Sequence, residues 1–306
     1  MEHQVSGQSQ DSVKSALRDA RAAAARGQLL RAQGSAEELG KIAGNQGVPD
    51  LEQLPAHLHR VRQLLAARSC VEESAGWRRF EVSFLTLWRH WDPRSGALSV
   101  MLSFEAQGSL LRQIAALRDV ELAEDLWDGA CWDMWSQHTG CVSLVRWLQK
   151  DPFTSRKTEV IMERVFCDCL DWDSCPPCWV VLERSPDIKD LAHYSGMWGP
   201  FDIPAPPPGY IRGVATESGR ILEPLGPDRC LCSTVFTLHL PAVMRAMLTD
   251  SVLTWAVRMS AKGLRSSWNR LMDSWASTGF DERMRSDPAF YATLEERVRA
   301  HVTRAA

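Results

Sequence analysis

No apolar run in this chain reaches the roughly 18 residues that a membrane-crossing helix needs. The opening MEHQVSGQSQDS also lacks the apolar core of a secretory leader. Charge of one sign is absent as well: 35 lysines and arginines face 38 aspartates and glutamates, a net charge of -3. That balance gives no overall pull toward nucleic acid or an anionic membrane. Nine cysteines, an odd number scattered along the chain, do not make a disulfide framework and fit a reducing compartment. No GxSxG elbow, phosphate loop or HExxH pair occurs, and no repeat marks a solenoid. The expected address is therefore cytoplasmic, with no nucleic-acid partner, no cofactor and no catalytic residue assigned.

What is present is a large apolar load. Of 306 residues 45% are hydrophobic, and 13 are tryptophan, which suggests a thick core, a lined cavity, or both. Val13, Leu17, Ala20 and Ala24 fall at helical spacing, a second short helix follows over Ser35–Ala43, and GNQGVPD reads as a linker. Residues 1–48 thus form a helical or disordered extension whose helices offer a docking surface for a protein partner. Leu51, Leu54, Leu58, Val61 and Leu65 then share one face of a third helix.

From Gly76 the texture changes to short runs rich in Trp, Phe and Val, bounded by Gly or Asp-Pro. WRRFEVS, FLTLWRHW and GALSVMLSF read as three antiparallel strands. Further runs bring the count to eight or nine, broken by helical spacing after Gly108. A long helix is expected over Pro241–Trp275, with apolar stripes on two faces: Met244, Leu248, Val252, Trp255 and Met259 on one, Leu253, Val257, Leu264 and Trp268 on the other. A helix apolar over so much of its circumference needs burial on most sides. The economical solution is an α+β fold in which a strongly curved antiparallel sheet grips it. The last segment, 277–306, reads as a charged, mostly solvated helical tail.

This order of elements resembles the StAR-related lipid transfer, or START, domain, a helix-grip fold, over residues 49–276. The stretch LSVMLSFEAQGSLLRQIAAL resembles that family's strand followed by a short helix, and DLWD its Trp-Asp segment. SRKTEVIMERVF, WVVLERS, PPPGYIRGVATESGRILEPLG and TVFTLHL resemble four later segments in the same order. Lys157 and Thr158 replace an acid usual in the family, and His239 stands where Asp is usual. The resemblance implies a hydrophobic tunnel under the last helix that holds one lipid of the sterol, phospholipid or ceramide class, to be transferred or sensed during transient contact with a membrane surface.

Strand alternation puts Val160, Met162, Arg164 and Phe166 on one face of a strand, and Trp179, Val181 and Glu183 on one face of the next. The expected lipid-binding residues are Met162, Arg164, Val181 and Arg212, with Val252, Trp255, Ala256 and Met259 from the helix. Alternatives stand beside the two arginines. Arg164 could sit at a rim against Glu163 or Glu183, and Arg212 could tie elements through Glu217 or Glu223. Trp198 and Phe201, in a Pro-rich loop, are the candidates for membrane contact.

Two rival readings remain. Cys167, Cys169, Cys175, Cys178, Cys230 and Cys232 invite a zinc-binding interaction module, although CxC pairs on strands simply face one side of a sheet, and no metal ligand is assigned. An enzyme of the cyclase or aromatase type, also built on the helix grip, would need His138, His193 or His239 beside a carboxylate, and nothing in the sequence puts one there.

Overall fold

The computed structural model describes residues 7–43, 51, 53–71, 76–82, 84–92, 97–122, 131–134, 141–150, 157–186, 205–215, 217–239 and 250–305. Three helices come first: α1 (Gly7–Ala25), α2 (Leu29–Ala43) and α3 (Leu54–Cys70). Strands β1 (Trp77–Val82), β2 (Leu85–Asp92) and β3 (Ala97–Gln107) form the expected antiparallel set. Helix α4 (Leu110–Arg118) follows, with the Ser109 hydroxyl accepting from the Arg112 amide at its start, as an N-cap should. Then come β4 (Cys131–Met134), β5 (Val142–Lys150), β6 (Lys157–Asp168), β7 (Trp179–Arg184), β8 (Tyr210–Gly213), β9 (Ser218–Gly226) and β10 (Arg229–His239). The chain closes with α5 (Asp250–Asp273), α6 (Phe280–Ser286) and α7 (Pro288–Ala305).

All ten strands join one curved sheet in the order β1-β2-β3-β10-β9-β7-β6-β5-β4, antiparallel throughout, with β8 paired parallel to β6 beyond the end of β7. The first three strands and the last are thereby joined: β10 runs beside β3 over eleven residue pairs, from Arg229↔Gln107 to His239↔Ala97. The expected long helix is present, but its described part begins at Asp250; residues 240–249 lie outside the described residues.

Both faces of the sheet are covered. On the outer face lies α3, whose Leu64 sits against Gly219 and whose Arg68 pairs with Glu223 at 2.9 Å. A Cβ at Gly219 would meet that leucine at 2.4 Å, so the close approach of helix and strand requires glycine there. On the inner face lie α4, α5 and α7. Trp268, Leu271 and Met272 of α5 enter the same apolar core as Leu102, Phe104 and Phe166. The N-terminal helices belong to that core too, through Ala20, Ala23, Leu29 and Ala32. Their turn at Gly27, whose carbonyl accepts from the Asp168 amide at 2.8 Å, abuts the end of β6.

The C-terminal segment corrects the expectation of a mostly solvated tail. Phe280, Phe290, Tyr291, Leu294 and Val298 are buried. Phe290 meets Trp179 edge-on at 6.0 Å, and the Arg118 guanidinium lies 4.0 Å from the Phe290 ring centre. Arg297 reaches Asp168 at 2.7 Å and Asp171 at 2.6 Å, while the Tyr291 hydroxyl donates to Asp119. Several of the charges that suggested solvation are halves of ion pairs: Arg297 to the end of β6, and Asp287 to Arg118 of α4. Phe290→Ala is expected to lower the free energy of unfolding by about 3–5 kcal/mol in a urea titration, whereas a solvated tail would leave it within about 0.5 kcal/mol.

Candidate functional site

Strand β6 organises the site because its residues from Glu159 to Asp168 are all buried. Alternate residues go to opposite faces, and the pairings carry each face across the sheet. On the inner face Arg164 and Phe166 align with Glu183 and Val181 of β7, Met162 with Val145 of β5, and Val181 in turn with Arg220 of β9. On the outer face Glu163 and Val165 align with Arg184 and Leu182 of β7, and Glu159 with Arg212 of β8.

The inner wall is apolar around one buried charge group. Met162 clusters with Val120, Val145 and Val160, and Val181 and Phe166 belong to the main core. Among them Arg164 is fully buried. It pairs with Glu183 at 2.7 Å and donates to the Leu117 carbonyl of α4 at 3.0 Å. Arg220 reaches the other oxygen of Glu183 at 3.6 Å. One carboxylate is thus shared by two guanidiniums. For Arg164 burial dominates and holds the pKa below the ordinary arginine value. Burial of Glu183 pushes the other way from its partners, and Arg220 and Arg164 together win, so its pKa lies below the ordinary glutamate value.

Of the expected residues, the structure brings Met162, Arg164 and Val181 together on this wall. Arg212 is elsewhere. It lies opposite Glu159 in the parallel β8–β6 pairing and donates to the Oε2 of that residue through Nε and Nη2 at 2.9 and 2.8 Å. That places it on the outer side, with a carboxylate partner that is neither Glu217 nor Glu223. Met259 is 53% exposed on α5. Val252, Trp255 and Ala256 fall on the same helix, with side chains outside the described set. His138, His193, Trp198 and Phe201 lie outside the described residues, and His239 ends β10 opposite Ala97. Arg220 escaped the sequence reading; only the β7–β9 register, Val181↔Arg220, reveals it.

The cysteines behave as packing residues where they are described. Cys167 and Cys169 are buried with their sulfurs 3.6 Å apart. Burial pushes the Cys141 and Cys230 thiols up to about 12 and that of Cys232 to about 11, which disfavours the thiolate needed for metal ligation or attack. Among the described residues no group of three or more His, Cys, Asp or Glu side chains could hold a metal ion.

A separate cleft of about 540 Å³ lies at the β1–β2 hairpin, between α3 of the outer face and α5 of the inner face. Among the described residues no helix is long and apolar enough to cross a membrane.

The arrangement is similar to solved structures at low sequence identity. Human StAR-related lipid transfer protein 5 matches with 12% identity over 71% of this chain and 99% of its own, at a TM-score of 0.50. The fold is the START helix grip. Human STARD10 also matches, at 13% identity over 69% of this chain and 80% of its own, with a TM-score of 0.49. No family model matches the chain, and no curated protein matches its sequence. In the START helix grip of this chain, the stretches SRKTEVIMERVF and WVVLERS form β6 and β7, the two strands that carry Arg164 and Glu183.

Removing one member of a buried ion group strands the other. Glu183→Gln is expected to cost about 3–5 kcal/mol of stability near neutral pH, by chemical denaturation. Because the folded-state pKa of Glu183 is depressed, its contribution is fully present above the ordinary glutamate range. It is lost as pH falls through the lowered value, so the gap between wild type and Glu183→Gln should narrow in acid.

Proposed function

We propose that the protein binds a single lipid against the inner face of β6 and β7, beneath α5, and carries or senses it without chemical change. The observation that carries this reading is the composition of that wall. Met162, Val181 and Phe166 present apolar surface around a buried Arg164–Glu183–Arg220 group with two positive charges and one negative. A lipid hydroxyl, carbonyl or phosphate is the class of oxygen acceptor that a group of two guanidiniums and one carboxylate matches. Met259 adds uncovered apolar surface on α5, and Val252, Trp255 and Ala256 are the further helix positions assigned to the ligand.

The energetics favour such a wall. A chain of about 15 methylenes in water costs about 12 kcal/mol at about 0.8 kcal/mol each, so a carrier must replace water with apolar protein. The likeness in fold to a protein named for lipid transfer supports the same reading. Eight cysteines with described side chains are free thiols, in keeping with a reducing, cytosolic address. Arg212 is left out of the proposed site, because its guanidinium is held by Glu159 on the other side of the sheet.

Native mass spectrometry of protein purified gently from cells, followed by lipid extraction, tests the reading. Wild type is expected to retain close to one lipid per chain. Arg164→Met keeps the wall apolar and leaves Glu183 with Arg220, and it should retain at least about tenfold less, the equivalent of about 1.4 kcal/mol. Recovery of lipid-free wild type after expression in a lipid-rich host would remove the proposal.

A further inference from the structure

The cleft at the β1–β2 hairpin has a chemistry of its own. Its volume of about 540 Å³ lies within the range of roughly 300–1,000 Å³ typical of small-molecule sites. Its lining separates it from the wall described above, since Met162, Arg164, Val181, Glu183 and Arg220 take no part in it. Thr86 and Ser103, opposite each other on β2 and β3, reach it from the outer face, and Phe104 joins them from the inner one.

Three guanidiniums from three separate elements line it: Arg68 of α3, Arg79 of β1 and Arg265 of α5. Against them the lining offers one carboxylate, Glu105, already met by Arg229 at 3.4 Å. A structural role accounts for two of the three. Arg68 is held by Glu223 at 2.9 Å, and Arg79 by Glu81 at 2.8 Å. Arg265 differs. Its guanidinium lies 4.7 Å from the centre of the Phe84 ring and has no carboxylate partner among the described residues. Arg79 likewise lies 5.8 Å from the Trp88 ring centre. Guanidiniums held over rings keep their planar donor forks oriented.

Trp88 supplies an independent observation. It is buried, it lines the cleft, and its Nε1–H has no hydrogen-bond partner among the described residues. An indole donor left in this way calls for an acceptor. The lining therefore combines aromatic surface, an unanswered cation, two more guanidiniums and an orphan donor. We infer that this cleft is a second binding site, distinct from the lipid wall, for an organic phosphate monoester. Its phosphate would engage Arg265 and Arg79, and its apolar body would lie on Phe84 and Trp88. A phosphate matches this set better than a carboxylate does, because it brings up to two charges and three acceptor oxygens to a site with several donors.

The shared chemistry could arrive as a soluble monoester or as a phosphomonoester headgroup in a membrane. Calorimetric titration of the full chain with phenyl phosphate, and co-sedimentation with phosphatidylcholine vesicles containing or lacking phosphatidic acid, separate the two. Saturable one-to-one binding of phenyl phosphate, at least tenfold weaker in Arg265→Gln and in Arg79→Gln, assigns a soluble ligand. Binding confined to phosphatidic acid vesicles, with the same dependence on both arginines, assigns a headgroup. Phenol and inorganic phosphate, the two halves of the probe, should each bind at least tenfold more weakly than phenyl phosphate. Thermal midpoints of the variants are compared with wild type, and Arg265→Lys, which keeps the charge but not the fork, serves if Arg265→Gln is unstable. No saturable binding of phenyl phosphate or phosphatidic acid vesicles, or affinities within twofold of wild type in the arginine variants, overturns the inference. Arg164→Met, tested in parallel, separates this site from the lipid wall: it should lose co-purified lipid and keep phenyl phosphate.

Discussion

Ten consecutive residues of β6, Glu159 to Asp168, are buried, and four of them carry charge. A charge taken out of water must find partners, so this strand dictates what surrounds it. Outward, Glu159 is met by Arg212 and Arg146, and Glu163 by Arg184, Arg60 and His57. Inward, Asp168 holds Arg297 of α7, and Arg164 holds Glu183 and the carbonyl end of α4. These partners come from α3, α4, α7 and three strands, β5, β7 and β8. The elements on both sides of the sheet are therefore positioned around β6 as much by its ions as by its apolar residues.

The two sides differ in the setting of those ions rather than in their ratio. Each outward carboxylate, like Glu183 on the inner wall, has two or more cations around it, and Arg212, Arg146 and Arg184 are partly exposed at the solvent side, which suits a structural tie. On the inner wall Arg164 and Glu183 are buried within an apolar surface. Buried ion groups add little stability compared with well-packed apolar residues. Retaining one there makes more sense for a wall that recognises an oxygen than for a wall that is only packed. The START helix grip supplies the geometry for this arrangement, a curved sheet with a helix across it, while the chemistry comes from a few positions on β6, β7 and β9.

Much of this was legible in the sequence because it depends on periodicity. Period-two alternation puts Met162 and Arg164 on one side of their strand without any knowledge of pairing, while the side of Val181 relative to them comes from the register Phe166↔Val181; the doubly apolar last helix implies a sheet bent around it. What escaped depends on pairing. Arg220 reaches Glu183 only through the β7–β9 register. Arg212 finds Glu159, 53 residues away, because β8 lies parallel to β6; the acids near it in sequence were unavailable or misplaced, Glu223 being taken by Arg68. The C-terminal helices looked solvated because Arg297 and Asp287 are charged, yet Phe290, Leu294 and Val298 recur every four residues on the buried face. The cleft at the β1–β2 hairpin left no trace in the sequence, since α3, β1 and α5 contribute one arginine each from distant positions.

The central claim is that a lipid lies against the inner face of β6 and β7. A photoactivatable lipid analogue loaded onto the intact protein, irradiated and mapped by peptide mass spectrometry, addresses it most directly. The account predicts crosslinks within residues 157–168 and 179–184 and on α5. Crosslinks confined to α3 and the β1–β2 hairpin, with none on those two strands, would contradict it.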